Sequence, residues 1–264
     1  MYGEGPRWRN GHLWFSDGPA GRVYSVGETG DLSVEAEVPR ASGLGWLPDG
    51  TLVVSTLFEA TIHHVDAHGN TTSTFDVSDL AWSTNDLVVV PDGRAYVDLY
   101  KQTRDALVGE IGLVDQAGGV RIVATGLAVP NGLGFLPDGT LVVSETNGSR
   151  LLAFTTAPDG SLGSPTVFAD LGTGRHPDGL CVDSEGGVWV GCYDTGEFLR
   201  VIAGGTVTHR IPIDHGWAVA PALGGADGRT LYLVVDDTTH DGLMRGESAG
   251  RVLQTRVDVP AAPT

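Results

Sequence analysis

Positive charge is scarce in this chain. Sixteen lysine and arginine residues face 33 aspartates and glutamates, a net charge of −17, which argues against nucleic acid or an anionic membrane surface as partner. Apolar runs are short as well. None approaches the roughly 20 residues that span a bilayer, and the opening MYGEGPRWRNG lacks the apolar core of a secretion signal. The cytoplasm is the expected compartment. Two cysteines in 264 residues make no disulfide framework. Cys181 and Cys192 are expected as buried free thiols on neighbouring strands of one hairpin. Helical periodicity is missing throughout. No Gly-x-Ser-x-Gly elbow occurs, so a serine triad is not expected, and no phosphate-cradling glycine loop opens a helix.

What the chain does have is glycine, and a phrase that returns six times. The phrases are EGPRWRNGHLWFSD from Glu4, SGLGWLPDGTLVVS from Ser42, NDLVVVPDGRAYVD from Asn85, NGLGFLPDGTLVVS from Asn131, DGLCVDSEGGVWVG from Asp178 and APALGGADGRTLYLV from Ala220. Their turn pairs, from Asn10-Gly11 to Asp227-Gly228, are spaced by 39, 43, 46, 47 and 42 residues, the length of one four-stranded propeller blade. The Asp-Gly pairs are read as two-residue hairpin turns. β-branched and aromatic stretches follow each, such as Leu141 to Ser144 and Arg150 to Phe154. The chain is therefore expected to be all-β, a six-bladed β-propeller of four-stranded antiparallel blades around a central tunnel, with residues 1–264 forming a single domain. Blade six offers only three strands, and only three residues precede Glu4. That leaves either an earlier start of the chain or an exposed blade edge.

The first residue of the phrase differs between repeats: Glu4, Ser42, Asn85, Asn131, Asp178 and Ala220. Inner strands of a propeller run parallel around the axis, so these side chains should converge at one mouth of the tunnel. Taken singly, Pro130-Asn131-Gly132 and Pro177-Asp178-Gly179 read as ordinary turns and Glu4 as a surface acid. A shared address in the repeat argues for a common site. Two carboxylates and two carboxamides offer oxygen atoms to a hard divalent cation, calcium first, with magnesium, manganese or zinc as alternatives. Asp178 is the candidate base, able to deprotonate an attacking water. His176, Tyr100 and Trp217 are candidate substrate contacts at the same mouth, along with Asn85. The aspartates of the Asp-Gly pairs (Asp49, Asp92, Asp138, Asp227) are read as turn residues only.

At these residues the chain resembles the SMP-30/gluconolactonase/luciferin-regenerating family. The matching phrases are Gly3-Glu4-Gly5-Pro6-Arg7-Trp8, Gly43-Leu44-Gly45 leading to Pro48-Asp49-Gly50, Asn85-Asp86 followed by Asp92-Gly93-Arg94, Pro130-Asn131-Gly132 and Pro177-Asp178-Gly179. The resemblance implies one divalent cation held by Glu4, Asn131 and Asp178, with Asn85 as a fourth ligand or a substrate contact and Asp178 as general base. It also implies hydrolysis of a lactone, since most members open lactones, aldonolactones among them. Ser83 stands where sugar-lactone members often carry arginine. Trp82, Tyr100 and Trp217 point to a more apolar or aromatic substrate. The leading expectation is a metal-dependent hydrolase of a small-molecule lactone. A metal-assisted isomerase, lyase or cyclase on the same site, or a non-catalytic binding propeller with a structural metal, stays open beside it.

Overall fold

The computed structural model describes residues 3–102, 107–239, 241–242 and 245–262. Its strands form six antiparallel sheets in chain order. Blade one holds β1 (Gly3–Arg9), β2 (His12–Asp17), β3 (Arg22–Gly27) and β4 (Leu32–Glu37). Blade two holds β5 (Ala41–Trp46), β6 (Leu52–Thr56), β7 (Thr61–Val65) and β8 (Thr71–Asp76). Blade three follows with β9 (Ser83–Val89), β10 (Ala95–Gln102), β11 (Leu107–Val114) and β12 (Val120–Leu127). Blade four has β13 (Pro130–Phe135), β14 (Leu141–Glu145), β15 (Arg150–Phe154) and β16 (Thr166–Asp170). Blade five has β17 (Pro177–Val182), β18 (Val188–Cys192), β19 (Glu197–Val201) and β20 (Val207–Pro212). Blade six has β21 (Trp217–Gly224), β22 (Thr230–Asp236) and β23 (Gly250–Arg256). The expected four strands per blade thus hold in five blades, and the sixth has three among the described residues. Among those residues no helix is long and apolar enough to cross a membrane.

The phrase folds as read, with one correction. Every turn glycine occupies the left-handed region, from Gly228 at φ +72° to Gly50 at +92°, a conformation that side chains with a Cβ avoid. Only Asn10-Gly11 is a two-residue turn, since Arg9 pairs directly with His12 and both turn residues have positive φ. The Pro-Asp-Gly turns are a residue longer: Leu47 N–H donates to Thr51 O at 2.9 Å and Gly50 N–H to Leu47 O at 2.9 Å. This difference explains why Glu4 lies six residues before its turn and Ser42 seven. The aspartates in those turns cap their own backbone, Asp49 accepting from Thr51 N–H at 2.9 Å and Asp138 from Thr140 N–H at 2.9 Å. In blade five Asp183, not Glu185, takes that part, accepting from Glu185 and Gly187.

Closure of the ring relies on side chains. Trp8 of β1 stacks on Tyr232 of β22 at 5.3 Å between ring centroids, within an apolar cluster of Leu13, Phe15, Ala222 and Tyr232 that spans blades one and six. Ser248 Oγ adds a 2.9 Å hydrogen bond to Asp17. Among the described residues β23 has no strand on its outer edge, and it carries Arg251 and Arg256, charges that discourage strand addition. Residues 260–262 instead clip blade six to blade five: Ser184 N–H donates to Pro260 O at 2.9 Å and Ala261 N–H to Gly228 O at 2.8 Å. Cys181 and Cys192 are free, as read, and burial pushes the Cys192 thiol up to about 12.

Gly224 tests the seam. A Cβ there would overlap the Trp8 ring, so Gly224→Ala should cost about 1–3 kcal/mol, as overpacking of a filled core does. Urea unfolding measures it, and an unchanged midpoint would remove the Trp8–Tyr232 contact from the closure mechanism.

Candidate functional site

The six inner strands share one irregularity. The register between first and second strands shifts between Glu4 and Arg7, Ala41 and Leu44, Pro130 and Leu133, Pro177 and Leu180, and Ala218 and Ala220. In blade three it shifts between Val97 and Leu99, opposite Asn85 and Asp86. Pro130-Asn131-Gly132 and Pro177-Asp178-Gly179 are therefore bulged strands and not turns. A bulge re-aims side chains and leaves backbone groups without ladder partners. Side chains of the second strands meet several of those groups. Ser16 Oγ donates to Ser42 O at 2.6 Å, and Ser55 Oγ accepts from Gly43 N–H at 2.9 Å and donates to Asn85 O. The Asp98 carboxylate accepts from Asn85 N–H at 2.7 Å and Asp86 N–H at 3.1 Å. Ser16 and Ser55 each reach the inner strand of the next blade, so they hold neighbours in register as well.

The re-aimed side chains meet. Ser42 Oγ donates to Asn85 Oδ1 at 2.6 Å, and Asn85 Nδ2 donates to Asn131 Oδ1 at 3.1 Å and to the Tyr100 hydroxyl at 3.2 Å. Asn131 in turn favours the charged form of its neighbour Asp178, and the charge of Asp178 is felt at Glu4. Glu4, Asn85, Asn131, Asp178 and Tyr100 are all buried, so the structure brings together the predicted ring and one of its predicted substrate contacts. Beneath the ring Arg7 reaches across the axis, donating to Asp86 at 3.0 Å and to Leu87 O at 2.8 Å. Asp86 also accepts from Leu133 N–H at 3.4 Å. Contacts thus run from blade one to blades three and four.

Burial and mutual repulsion dominate the electrostatics. Burial holds Glu4 well above the usual carboxylate range, and the Asp178, Asp86, Asp236 and Asp98 charges push it further. Asp178 is pushed up to about 7, chiefly by burial, with hydrogen bonding from Asn131 and Gly179 N–H opposing. Arg7, the cation beneath the ring, is committed to Asp86. Among the described residues, two carboxylate oxygens are buried with neither hydrogen bond nor ion pair, Asp178 Oδ1 and Asp236 Oδ2. Asp236 ends β22 on the blade whose ring position is the silent Ala220, and burial raises it to about 6.

His176 and Trp217 lie at the rim and make no hydrogen bond to the ring. His176 Nδ1 is 2.6 Å from Asp194 Oδ2, and its ring stacks on Tyr193, which meets Trp217 edge-on. Several other acidic and basic groups at this mouth are committed elsewhere: Lys101 to Glu110, Glu145 to Arg150, and Asp237 and His215 to Arg251. A depression of about 430 Å³ among Arg94, Asp115, Arg121 and Asp159 lies at the opposite, hairpin-turn end. It holds no orphaned buried group. Sequence reasoning missed the second strands: Ser16, Ser55, Asp98 and Ser144 each stand five residues after their turn glycine.

The chain matches the SMP-30/Gluconolactonase/LRE-like region over residues 2–236. It belongs to that family. A 6-deoxy-6-sulfogluconolactonase of Pseudomonas putida is 29% identical over 98% of this chain and 92% of its own length. A pentonolactonase of Haloferax volcanii is 27% identical over 98% of this chain and 91% of its own. The fold matches that of a calcium-binding regucalcin from Agrobacterium tumefaciens with a TM-score of 0.82, at 23% identity over 99% of this chain and 92% of that one.

A divalent cation of the kind this family resemblance implies fits the residues present. The donors are oxygen atoms, one of them a buried, unpartnered carboxylate oxygen. Among the described residues no positive charge pairs with the two carboxylates, Glu4 and Asp178.

That imbalance sets a pH dependence. A carboxylate raised on folding binds more protons folded than unfolded, so its contribution to stability is present below about pH 4 and is lost as pH rises through its folded value. For Asp178 that window ends near pH 7. Protein dialysed against chelator should melt lower at pH 8 than at pH 5, and Asp178→Asn should flatten the difference. An equal slope in both proteins would show that the strain lies elsewhere.

Proposed function

We propose that this protein is a divalent-cation-dependent hydrolase of a small-molecule lactone. The carrying observation is the unpartnered, buried Asp178 Oδ1 inside an oxygen-only ring. Glu4, Asn85, Asn131 and Asp178 would hold the cation, with calcium preferred because the donors are hard and uncharged carboxamides supply half of them. A cation bound there supplies charge compensation for the two carboxylates and polarises the lactone carbonyl. The names of the two lactonase relatives support the substrate class.

The chain's own residues divide the remaining work. Asp178 takes a proton from the attacking water as its oxygen adds to the carbonyl carbon. The ring C–O bond then breaks, and Asp178 returns the proton to the departing alkoxide, so one water is consumed and a hydroxy acid is formed. Asn85 hydrogen-bonds both Tyr100 and Asn131, so it sets the position of the phenol against the ring. Tyr100 is buried, and burial raises its hydroxyl well above the usual phenol value. It therefore stays protonated and able to donate to a substrate oxygen. His176 and Trp217 contribute the rim against which the rest of the molecule would lie. Ser42 helps orient Asn85, and Ala220 offers no polar atom.

Two experiments test this. Chelation should abolish turnover of a lactone panel, and added calcium should restore it. Asp178→Asn should lower kcat by about 10²–10⁴-fold, the usual contribution of general acid–base catalysis. Full activity in Asp178→Asn would remove Asp178 from the chemistry, and absence of ¹⁸O from labelled water in the product would replace hydrolysis with a lyase or isomerase reaction.

A further inference from the structure

The mouth of the propeller carries an aromatic pair that the proposed chemistry does not use. Phe58 lies in the connection from β6 to β7, and Trp82 immediately precedes β9, three residues before Asn85. Both connections open at the end of the ring where the inner strands begin. The two rings are 39% and 40% exposed and stack at 6.0 Å with 14° between planes. The other exposed large apolar residues among those described are all aliphatic: Leu32, Val34, Val167, Ile202, Val207 and Leu253. They lie on or beside outer blade strands, far from the axis. The mouth is where aromatic surface has been left open.

That surface is held at a backbone cost. Phe58 has φ +61°, a region that bulky side chains avoid. Its N–H donates to Ser83 Oγ at 2.8 Å, and the wholly buried Ser83 hydroxyl donates to Thr84 O at 2.8 Å. Thr84 Oγ1 accepts from Thr56 N–H at 3.0 Å and donates to Thr56 O at 2.8 Å, locking β9 to β6. Trp82 N–H donates to Tyr100 O at 3.0 Å. The pair is thus anchored to the strands that carry Asn85 and Tyr100. Positive φ at a non-glycine residue recurs at this mouth, at Arg40, Phe58 and Val129, and at Phe58 it holds an exposed ring, the kind of strain that points to function. On blades five and six the rim continues the theme with His176, Tyr193 and Trp217.

We propose that Phe58 and Trp82, fixed by Ser83, form a specificity wall that selects lactones bearing an apolar or aromatic substituent over polyhydroxylated ones. Aromatic faces reward burial of apolar or planar groups and offer a hydroxylated chain nothing in exchange for its water. The inference rests on the lactone-hydrolase reading and narrows it to a substrate class.

The test compares kcat/KM, in calcium, for a phenyl-substituted γ-butyrolactone and a pentono-γ-lactone. The wild type should favour the phenyl lactone by at least ~10-fold, and Trp82→Ala should lower that ratio by about 10-fold, through KM, the scale of losing apolar contact in a pocket. Phe58→Asn removes the ring with a residue that tolerates positive φ, and should act in the same direction, as should Ser83→Ala. Preference for the pentonolactone, or a ratio unchanged in all three variants, overturns the wall and leaves the hydrolase standing. Turnover of neither lactone overturns the hydrolase reading and the wall with it.

Discussion

Where six inner strands converge on an axis there is room for backbone and little else, and much of the architecture follows from that crowding. The residue after the ring position is glycine in four blades. A Cβ on Gly43 would lie 2.6 Å from Leu87 N, and one on Gly132 would lie 2.6 Å from both Asp178 O and Leu180 N. Such approaches bring the strands close enough for ring side chains of adjacent blades to touch. They also force the bulges, because a regular ladder would point those side chains into the neighbouring sheet. Bulging strips partners from backbone groups, and the serines and Asp98 of the second strands replace them. Packing at the axis, the polar layer beneath it and the ring are one structural solution.

The polar ring adds a second constraint. Neutral or positive groups would have satisfied the same bulges, yet the chain collects Glu4, Asp178, Asp98, Asp86 and Asp236 within mutual electrostatic reach. Of these, only Asp86 has an arginine among the described residues. Burying carboxylates without partners opposes folding unless they stay protonated or gain a cation. A site that weakens its own scaffold in this way has a use for the charge.

Most of the blade plan was legible from the repeated phrase, because turn glycines and β-branched strands act locally. The ring was legible too, since a repeat turns a sequence position into a spatial one. Other features depend on contacts that no local pattern announces. The longer Pro-Asp-Gly turns emerged only from backbone pairing, and the closing stack of Trp8 on Tyr232 joins residues from the two ends of the chain. Phe58 sits in a connection without motif, and its exposure depends on a serine 25 residues away. Ser83 stands out in the sequence for the arginine it replaces, but its hold on the Phe58 N–H shows only in the structure. Asp98 was visible as the last residue of its phrase, but its role required knowing that the inner strands bulge.

Arg7 has a further effect through its position. Its side chain reaches from blade one to blade three beneath the ring, so part of the tunnel's width is occupied at that depth. A neutral ring molecule opened to a hydroxy acid would depart as an anion from a protein whose net charge is −17. Traffic through the aromatic mouth would then be sorted by charge: the uncharged form is admitted and the charged form is driven out.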